Sequence, residues 1–484
     1  MSDKLVVSRV DEAYIRVRAD PGIMMELSDA FTFDVPGARF TPAYKNRGWD
    51  GKIKLFHQLT GCIYTGLRER VRAFAEKRGY EYEEATDFST TEFSVKEADA
   101  FIDALRVPEK FERRDYQVKS FVQCVRDGRA LLLSPTNSGK SFIIYLLIRW
   151  HSMQYSTRAL VIVPRLSLVH QLESDFRDYG LSGDCVFKIT GGVDKNVEPP
   201  AITITTWQSV YKMPKEWFDQ FDLVVGDEAH EFKAKSLISI MTKLSGCRFR
   251  FGTTGTLDGA ETNELVLEGL FGPVRRFITS AELIEQKFSA DFDVKAIVLK
   301  HDGRPKDSDY AAEMKYLEES PARNRFLKNL ALSLKGNTLL LFQHIERHGQ
   351  VLHDMISAEA GDRSVHFIHG DIDVDEREEI RRLLETEDDA VLCASYGTFS
   401  MGVNAPNLRN TVFASPYKSK IKVLQSIGRG LRRTETKTRS TLFDISDDMS
   451  VGRRKNHTLG HFLERVKIYS EEDFPFKIYP VCLK

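Results

Sequence analysis

Proline is scarce in this chain, 16 of 484 residues, and no tract is dominated by a single polar residue type. That excludes long unstructured linkers. Long apolar runs are missing as well. Stretches such as Leu339 to Phe342 fall far short of the roughly 18 residues that cross a bilayer, so no membrane span is expected. The start, Met1-Ser2-Asp3-Lys4, has no basic segment followed by an apolar one, so export is not expected. The six cysteines, at 62, 124, 185, 247, 393 and 482, form no CxxC pair and have no histidine cluster beside them. This argues against a disulfide framework or a zinc site and for free thiols in a reducing cytoplasm. No sign of charge prevails: 69 Lys and Arg stand against 70 Asp and Glu, a net charge of -1. The total neither demands nor excludes a polyanionic partner, and no repeat of solenoid period is present.

What remains is the composition of a folded globular chain, 42% apolar and 29% charged with 31 Phe and 16 Tyr. Its length suits two or three domains of roughly 100–200 residues. From Arg129 onward, short β-rich runs alternate with helical patterns, the signature of βα units and a parallel sheet. Ala130–Leu133, Ala159–Val163, Ala201–Thr205, Leu223–Val225 and Arg248–Phe251 form one set. Asn337–Phe342, Ser364–Ile368, Ala390–Cys393, Thr411–Ala414 and Thr441–Phe443 form another. One long sheet is possible, but a polar, mostly helical stretch near 260–290 separates the sets and favours two similar α/β lobes. Residues 1 to about 105 read as a small α+β domain. Tyr14–Arg18 and Lys52–Phe56 alternate apolar and basic residues, and Leu67, Val71, Phe74 and Ala75 share one helical face ahead of Gly79. Ser94 and Glu97 predict a capping box opening a helix that leads into the larger part.

Ser134-Pro-Thr-Asn-Ser-Gly-Lys-Ser141 follows one predicted strand and precedes an apolar helical run. In that context backbone N–H groups at a helix N-terminus can wrap phosphates, Lys140 can reach them, and Ser141 can ligate magnesium. The first glycine of the usual pattern is absent, and Gly-Lys-Ser alone also suits a surface turn. Asp227-Glu-Ala-His230 follows the run Leu223–Val225, at the strand end where α/β sheets bind ligands. Asp227 would hold Mg2+ and Glu228 would orient and deprotonate water. Taken alone, two adjacent acids are a solvated loop. The phosphate loop upstream favours the catalytic reading.

Together these motifs resemble those of superfamily 2 helicases, ATP-driven nucleic-acid motors. The resemblance covers about residues 110–450 and implies two RecA-like lobes in tandem beside the N-terminal domain. Arg114-Asp-Tyr-Gln117 resembles the adenine-reading element, with Gln117 as reader. Thr136, Asn137, Ser138, Gly139, Lys140 and Ser141 would complete the ATP-binding loop. Pro164–Gln171 with Arg165, Gly191-Gly192, and Thr205–Ser209 with Thr206 resemble the first lobe's strand-contacting motifs. His230, Thr254, Thr256 and Gln425 fall where the family couples hydrolysis to lobe movement. Gln425–Arg432 matches the closing QxxGRxxR motif, in which Arg429 and Arg432, three apart on one helical face, are expected as arginine fingers. An ordinary basic helix is the bland alternative. Gly397–Pro406 occupies the place of the motif linking nucleotide to strand, with Thr398 toward nucleic acid and Gly402 and Asn404 toward ATP. Asn404 stands where many relatives carry Asp.

Within the family, Thr136–Ser141, Ser395–Ser400, Ser415-Pro-Tyr-Lys-Ser419 and Tyr44–Lys52 most resemble the recombination helicases of T-even bacteriophages. That implies remodelling of recombination and replication intermediates by branch migration and by unwinding of D-loops and R-loops. It also implies ATP and Mg2+ as cofactors and branched or forked DNA and RNA–DNA hybrid as substrates. Single-stranded-DNA-binding or recombinase proteins would be partners of a monomer in the cytoplasm of an infected bacterium. The expected domains are 1–105 (nucleic-acid binding), 106–282 (first lobe), 283–450 (second lobe) and 451–484 (an extension packed on the second lobe).

Between Arg39 and Arg78, ten basic residues face three acids, with Tyr44, Trp49, Phe56 and Tyr64 interleaved. Lys45, Arg47, Trp49 and Lys52 are therefore candidate nucleic-acid contacts. A solvated basic face over an aromatic core is the other reading. A double-stranded-DNA translocase that tracks without separating strands stays open beside the helicase. A non-enzymatic binding protein has no support while Lys140, Asp227, Glu228, Arg429 and Arg432 are all present.

Overall fold

The computed structural model describes residues 4–35, 37–88, 91–195, 200–232, 234–257, 261–305, 309–400, 407–417, 419–431, 433, 437–452 and 454–483. The chain divides into two compact units, Met1–Ser134 with Gly139–Phe277, and Pro135–Ser138 with Ile278–Lys484.

The first unit holds a seven-stranded parallel sheet in the order Val274–Arg275, Arg129–Leu133, Phe249–Thr254, Leu223–Gly226, Ala159–Val163, Ile202–Thr206, Val186–Ile189. Four of its five inner strands, among them Ala159–Val163 and Phe249–Thr254, are buried along their whole length because both faces are covered. That is why they read as apolar runs. The two edge strands escaped the sequence reading: Val186–Ile189 is half-exposed and Val274–Arg275 is two residues long.

The second unit repeats the plan. Its parallel sheet runs Val365–Ile368, Val391–Ser395, Thr338–Phe342, Asn410–Phe413, Arg439–Asp448, Asp291–Lys300, Phe476–Cys482. Asp291–Lys300 was not anticipated because Asp293 and Lys295 break its apolar run. Residues 451–484 belong to this lobe itself. Phe476–Cys482 forms the sheet edge, and helix His457–Glu471 buries Phe462, Arg465, Ile468 and Tyr469.

The N-terminal residues form a four-stranded sheet in the order Cys62–Tyr64, Tyr14–Arg18, Lys4–Arg9, Glu81–Glu84. Leu5, Val7, Ile15, Val17 and Ile63 point to one face and meet Leu67, Val71 and Ala75 of helix Arg68–Arg78, which ends at Gly79 in the left-handed region. This core is continuous with first-lobe residues Leu265, Leu270 and Phe271. Close backbone approach fixes the docking, since a Cβ on Gly66 would lie 2.0 Å from Glu268 O. Alongside, Arg70 Nε donates to Glu268 Oε1 and Oε2 at 3.0 and 2.9 Å. The capping box at Ser94 is present, with Glu97 N donating to Ser94 Oγ at 3.2 Å and Ser94 N to Glu97 Oε2 at 2.7 Å. The helix it opens, Val95–Ala104, packs Ala98, Phe101 and Ile102 among first-lobe residues such as Phe121. It therefore goes with the lobe rather than with the N-terminal sheet.

Candidate nucleotide site and nucleic-acid interface

Strand Arg129–Leu133 delivers Ser134 to the C-terminal edge of the first sheet, and helix Lys140–Tyr155 leaves from the same place. Gly139, at that helix's N-cap, has φ 75°, and a Cβ there would lie 2.3 Å from Gln117 Nε2. Only glycine meets both conditions. The same contact puts Gln117 directly behind the phosphate loop, its Oε1 accepting from Arg114 N at 3.0 Å. Thr136, Asn137 and Ser138 complete the loop; Asn137 has φ 70° and Ser138 is buried.

Lys140 Nζ donates to Glu228 Oε1 at 3.0 Å and to Ser134 O at 3.4 Å. Burial works against its charge, but the Glu228 and Asp227 carboxylates outweigh it and raise the pKa. Asp227 emerges from strand Leu223–Gly226, and its Oδ1 accepts from Thr253 Oγ1 at 2.5 Å and from Glu228 N at 2.9 Å. Burial, then the neighbouring Glu228 charge, pushes the Asp227 carboxyl up to about 6. Glu228 goes the other way: burial would raise it, but Lys140 and His230 hold it below the usual carboxylate range. Its backbone is left-handed at φ 48°, ψ 49°, a conformation a β-carbon disfavours and functional sites retain.

His230 Nδ1 lies 2.5 Å from Thr254 Oγ1, and Thr254 Oγ1 donates to Thr256 O at 2.8 Å. Because that hydroxyl proton is committed to Thr256, the hydrogen-bond network assigns the His230 proton to Nδ1. Burial lowers the His230 pKa. His230 Nδ1 is also 3.5 Å from Glu228 Oε2, so the acid pair, His230, Thr254 and Thr256 form one connected path.

Two oxygen donors, Ser141 Oγ and the Asp227 carboxylate, match the way Mg2+ binds through one or two protein ligands plus substrate phosphates. The raised Asp227 carboxyl supports the fit, since a divalent cation would relieve its buried charge. Ser141 Oγ pairs with Tyr179 OH at 2.9 Å. Tyr179 and Thr253 escaped the sequence reading because each is placed by packing between distant segments. No local pattern marks either one.

The strand-contacting candidates occupy the other half of the same sheet edge, after strands Ala159–Val163, Val186–Ile189 and Ile202–Thr206. Arg165 Nη2 donates to Glu231 Oε2 at 2.6 Å, tying this half to the acid-pair turn. Gly192 has φ 81° with open space around it, and the Thr206 hydroxyl pairs with Ser209 Oγ at 2.9 Å. Thr398 is 2% exposed, with Oγ1 2.8 Å from Ser395 Oγ.

Gly402, Asn404 and Arg432 lie outside the described residues. Gln425 and Arg429 lie on helix Lys420–Gly430, and their side chains are outside the described residues.

In the N-terminal domain Lys45, Arg47 and Lys52 are exposed, and with Arg39, Tyr44 and Trp49 the first two line an open groove of about 860 Å³. Trp49 is half-buried, its Nε1 donating to Lys52 O at 2.8 Å. The interleaved aromatics divide. Phe56 is buried, Tyr64 stacks on Tyr14 with ring centroids 5.2 Å apart, and Tyr44 is 42% exposed. Phe40, which the sequence did not single out, is 67% exposed with the Arg39 guanidinium over its ring.

A phosphate loop and an acid pair at the C-terminal edge of a parallel sheet, with a second such sheet following, define a nucleoside-triphosphate-driven enzyme of the two-lobed class. Residues 110–259 match the model of the type III restriction enzyme res subunit, residues 322–434 that of the helicase conserved C-terminal domain, and residues 5–83 that of the UvsW N-terminal domain. The chain is 31% identical over 98% of its length, and 98% of the relative's, to the ATP-dependent DNA helicase uvsW of enterobacteria phage T4. It is 25% identical to the DNA 3'-5' translocase XPB2 of Sulfurisphaera tokodaii, over 69% of this chain and 82% of that one. The crystal structure of T4 UvsW matches 99% of this chain and 100% of its own, at 30% identity and a TM-score of 0.53. The chain belongs to the UvsW family of superfamily 2 helicases and is an ATP-dependent helicase.

Proposed function

We propose that this helicase remodels branched DNA, driving branch migration and unwinding D-loops and R-loops. The observation that carries this is the open groove on the N-terminal domain in which Arg39, Lys45 and Arg47 stand beside Tyr44 and Trp49. Cations that track phosphates beside aromatics that stack or wedge suit a substrate with unpaired or forked strands. The T4 relative, named as a DNA helicase, aligns with this domain as well as with the two lobes.

In the proposed cycle Gln117 reads the base and Lys140 leaves Glu228 for the ATP phosphates. Ser141 and Asp227 would hold Mg2+, which would supply charge neutralisation at the phosphates. Glu228, freed from Lys140, orients the attacking water and takes its proton. Arg429 and Arg432 stabilise the charge that develops as the phosphoryl group transfers. The path from Glu228 through His230 to Thr254 and Thr256 reports hydrolysis to the rest of the sheet edge.

Tracking along duplex DNA without strand separation is the second reading, supported by the relative named as a translocase, whose match spans 69% of the chain. Strand-displacement assays on forked, four-way and RNA-invaded substrates separate the two. Branch remodelling requires product from the junctions. ATP turnover on linear duplex with no displacement on any substrate would select the translocase.

A further inference from the structure

The stretch from Ala414 to Tyr417 follows strand Asn410–Phe413 and precedes in sequence helix Lys420–Gly430, on which Gln425 and Arg429 lie. Three of its carbonyls are held by donors from three different helices. Arg323 Nη2, from helix Pro321–Ser333, donates to Ala414 O at 2.7 Å. Tyr396 OH, at the start of helix Tyr396–Ser400, donates to Ser415 O at 3.0 Å. Arg465 Nη1, from helix His457–Glu471, donates to Tyr417 O at 2.8 Å. The Ser415 hydroxyl adds a fourth tie: it accepts from Gln343 N at 3.1 Å and lies 3.0 Å from His348 Nδ1.

The donors are themselves immobilised. Arg323 and Arg465 are fully buried, Arg323 on Asp447 at 2.9 Å and Arg465 on Asp444 at 2.7 Å, and the Tyr396 ring packs on Tyr417 with centroids 4.6 Å apart. Burying two guanidinium–carboxylate pairs is a poor route to stability, because desolvation offsets most of the attraction. What such pairs provide is a fixed geometry for the groups they hold.

We infer that residues 414–417 are a rigid strap that sets helix Lys420–Gly430, which carries Arg429 and precedes Arg432 in sequence, with Tyr396, Ser415 and Arg465 as positioning residues for ATP hydrolysis. The inference rests on the reading of Arg429 and Arg432 as fingers. A group acting on the transition state is sensitive to displacements of an ångström or less, so loosening the strap reduces turnover before it affects ATP binding.

Tyr396→Phe in the full chain removes only the hydroxyl and keeps the ring packing. The expected result is a kcat about three- to tenfold lower, the scale of one hydrogen bond, with KM for ATP and the melting temperature nearly unchanged. Ser415→Ala, the second variant should the first fail to fold, changes kcat in the same direction. If the strap acts through the finger, Tyr396→Phe combined with Arg432→Ala is no slower than Arg432→Ala alone. A normal kcat in both strap variants, or losses that add to that of Arg432→Ala, overturns the strap. A normal kcat in Arg432→Ala alone defeats the finger reading instead.

Discussion

Lys140 and Glu228 face each other at 3.0 Å across the candidate nucleotide site, the cation proposed to bind phosphates paired with the residue proposed as catalytic base. An ammonium committed to Glu228 keeps that carboxylate ionised and occupied until phosphates compete for the lysine. Glu228→Gln therefore binds ATP but turns it over at least about a hundredfold more slowly, the usual contribution of a general base. Nucleotide binding and phosphate release, measured separately, check this, and substantial turnover would remove Glu228 from the role.

Asp227 carries a stability cost that function explains. Its folded pKa of about 6 lies above its ordinary 3.8, so the group's contribution is fully present below about pH 4 and is lost as pH rises through 6. Above that, an ionised carboxylate sits buried next to Glu228. Asp227→Asn should raise the melting temperature of the nucleotide-free protein at pH 7.5 by the equivalent of about 1–3 kcal/mol, with the gain vanishing toward pH 4, while Mg2+-dependent turnover is lost. A stability difference that is flat across this pH range, in calorimetry at stepped pH, would contradict the assignment.

The Thr254 hydroxyl bridges His230 and Thr256, so Thr254→Val keeps the shape of the strand end and breaks the path from the acid pair. It removes one hydrogen bond from His230, a cost of about 0.5–1.5 kcal/mol. The expected phenotype is uncoupling: ATP turnover reduced severalfold and strand displacement per ATP reduced about tenfold. Equal losses in the two assays would show that Thr254 serves hydrolysis alone.

Reversing Lys45, Arg47 and Lys52 to Glu tests the N-terminal groove. All three are exposed, so the fold and intrinsic ATP turnover survive. Each cation withdrawn from a duplex phosphate lowers the slope of log affinity against log salt by about 0.9, so removing three flattens it by nearly 3 units. Trp49→Ala should reduce junction unwinding, with a fall in melting temperature smaller than that of a fully buried ring because the indole is half-buried. An unaltered salt slope would return strand binding to the two lobes.

Gly66→Ala addresses the docking of the N-terminal domain. Its Cβ would lie 2.0 Å from Glu268 O and 2.7 Å from Gly269 O, both backbone atoms that cannot rotate away. Separation of the N-terminal sheet from the first lobe follows, at a cost of at least about 2–3 kcal/mol. Gly79→Ala, where nothing lies within 4 Å, is the control and carries only the strain of its left-handed backbone. Protease cleavage between the N-terminal sheet and the first lobe in the Gly66 variant alone is the expected readout.

The ten strands legible in the sequence are those whose physics is local. A parallel strand covered on both faces must be apolar along its length, so Ala159–Val163 and Val391–Ser395 announce themselves. The phosphate loop and acid pair are equally local, because their chemistry needs particular side chains at fixed spacing from a strand end. Asp291–Lys300 and the exposed edge Phe476–Cys482 mix charge with apolar residues, and no run betrays them. Tertiary structure alone decided which aromatics near the basic cluster are core, turning Phe56 inward and leaving Phe40 and Tyr44 exposed, because burial depends on what packs opposite. It also decided the partners of the proposed catalytic groups. Thr253 on Asp227, Tyr179 on Ser141 and the donors that hold the strap at 414–417 come from segments far apart in sequence, and only the packing of sheet and helices brings them within hydrogen-bonding distance.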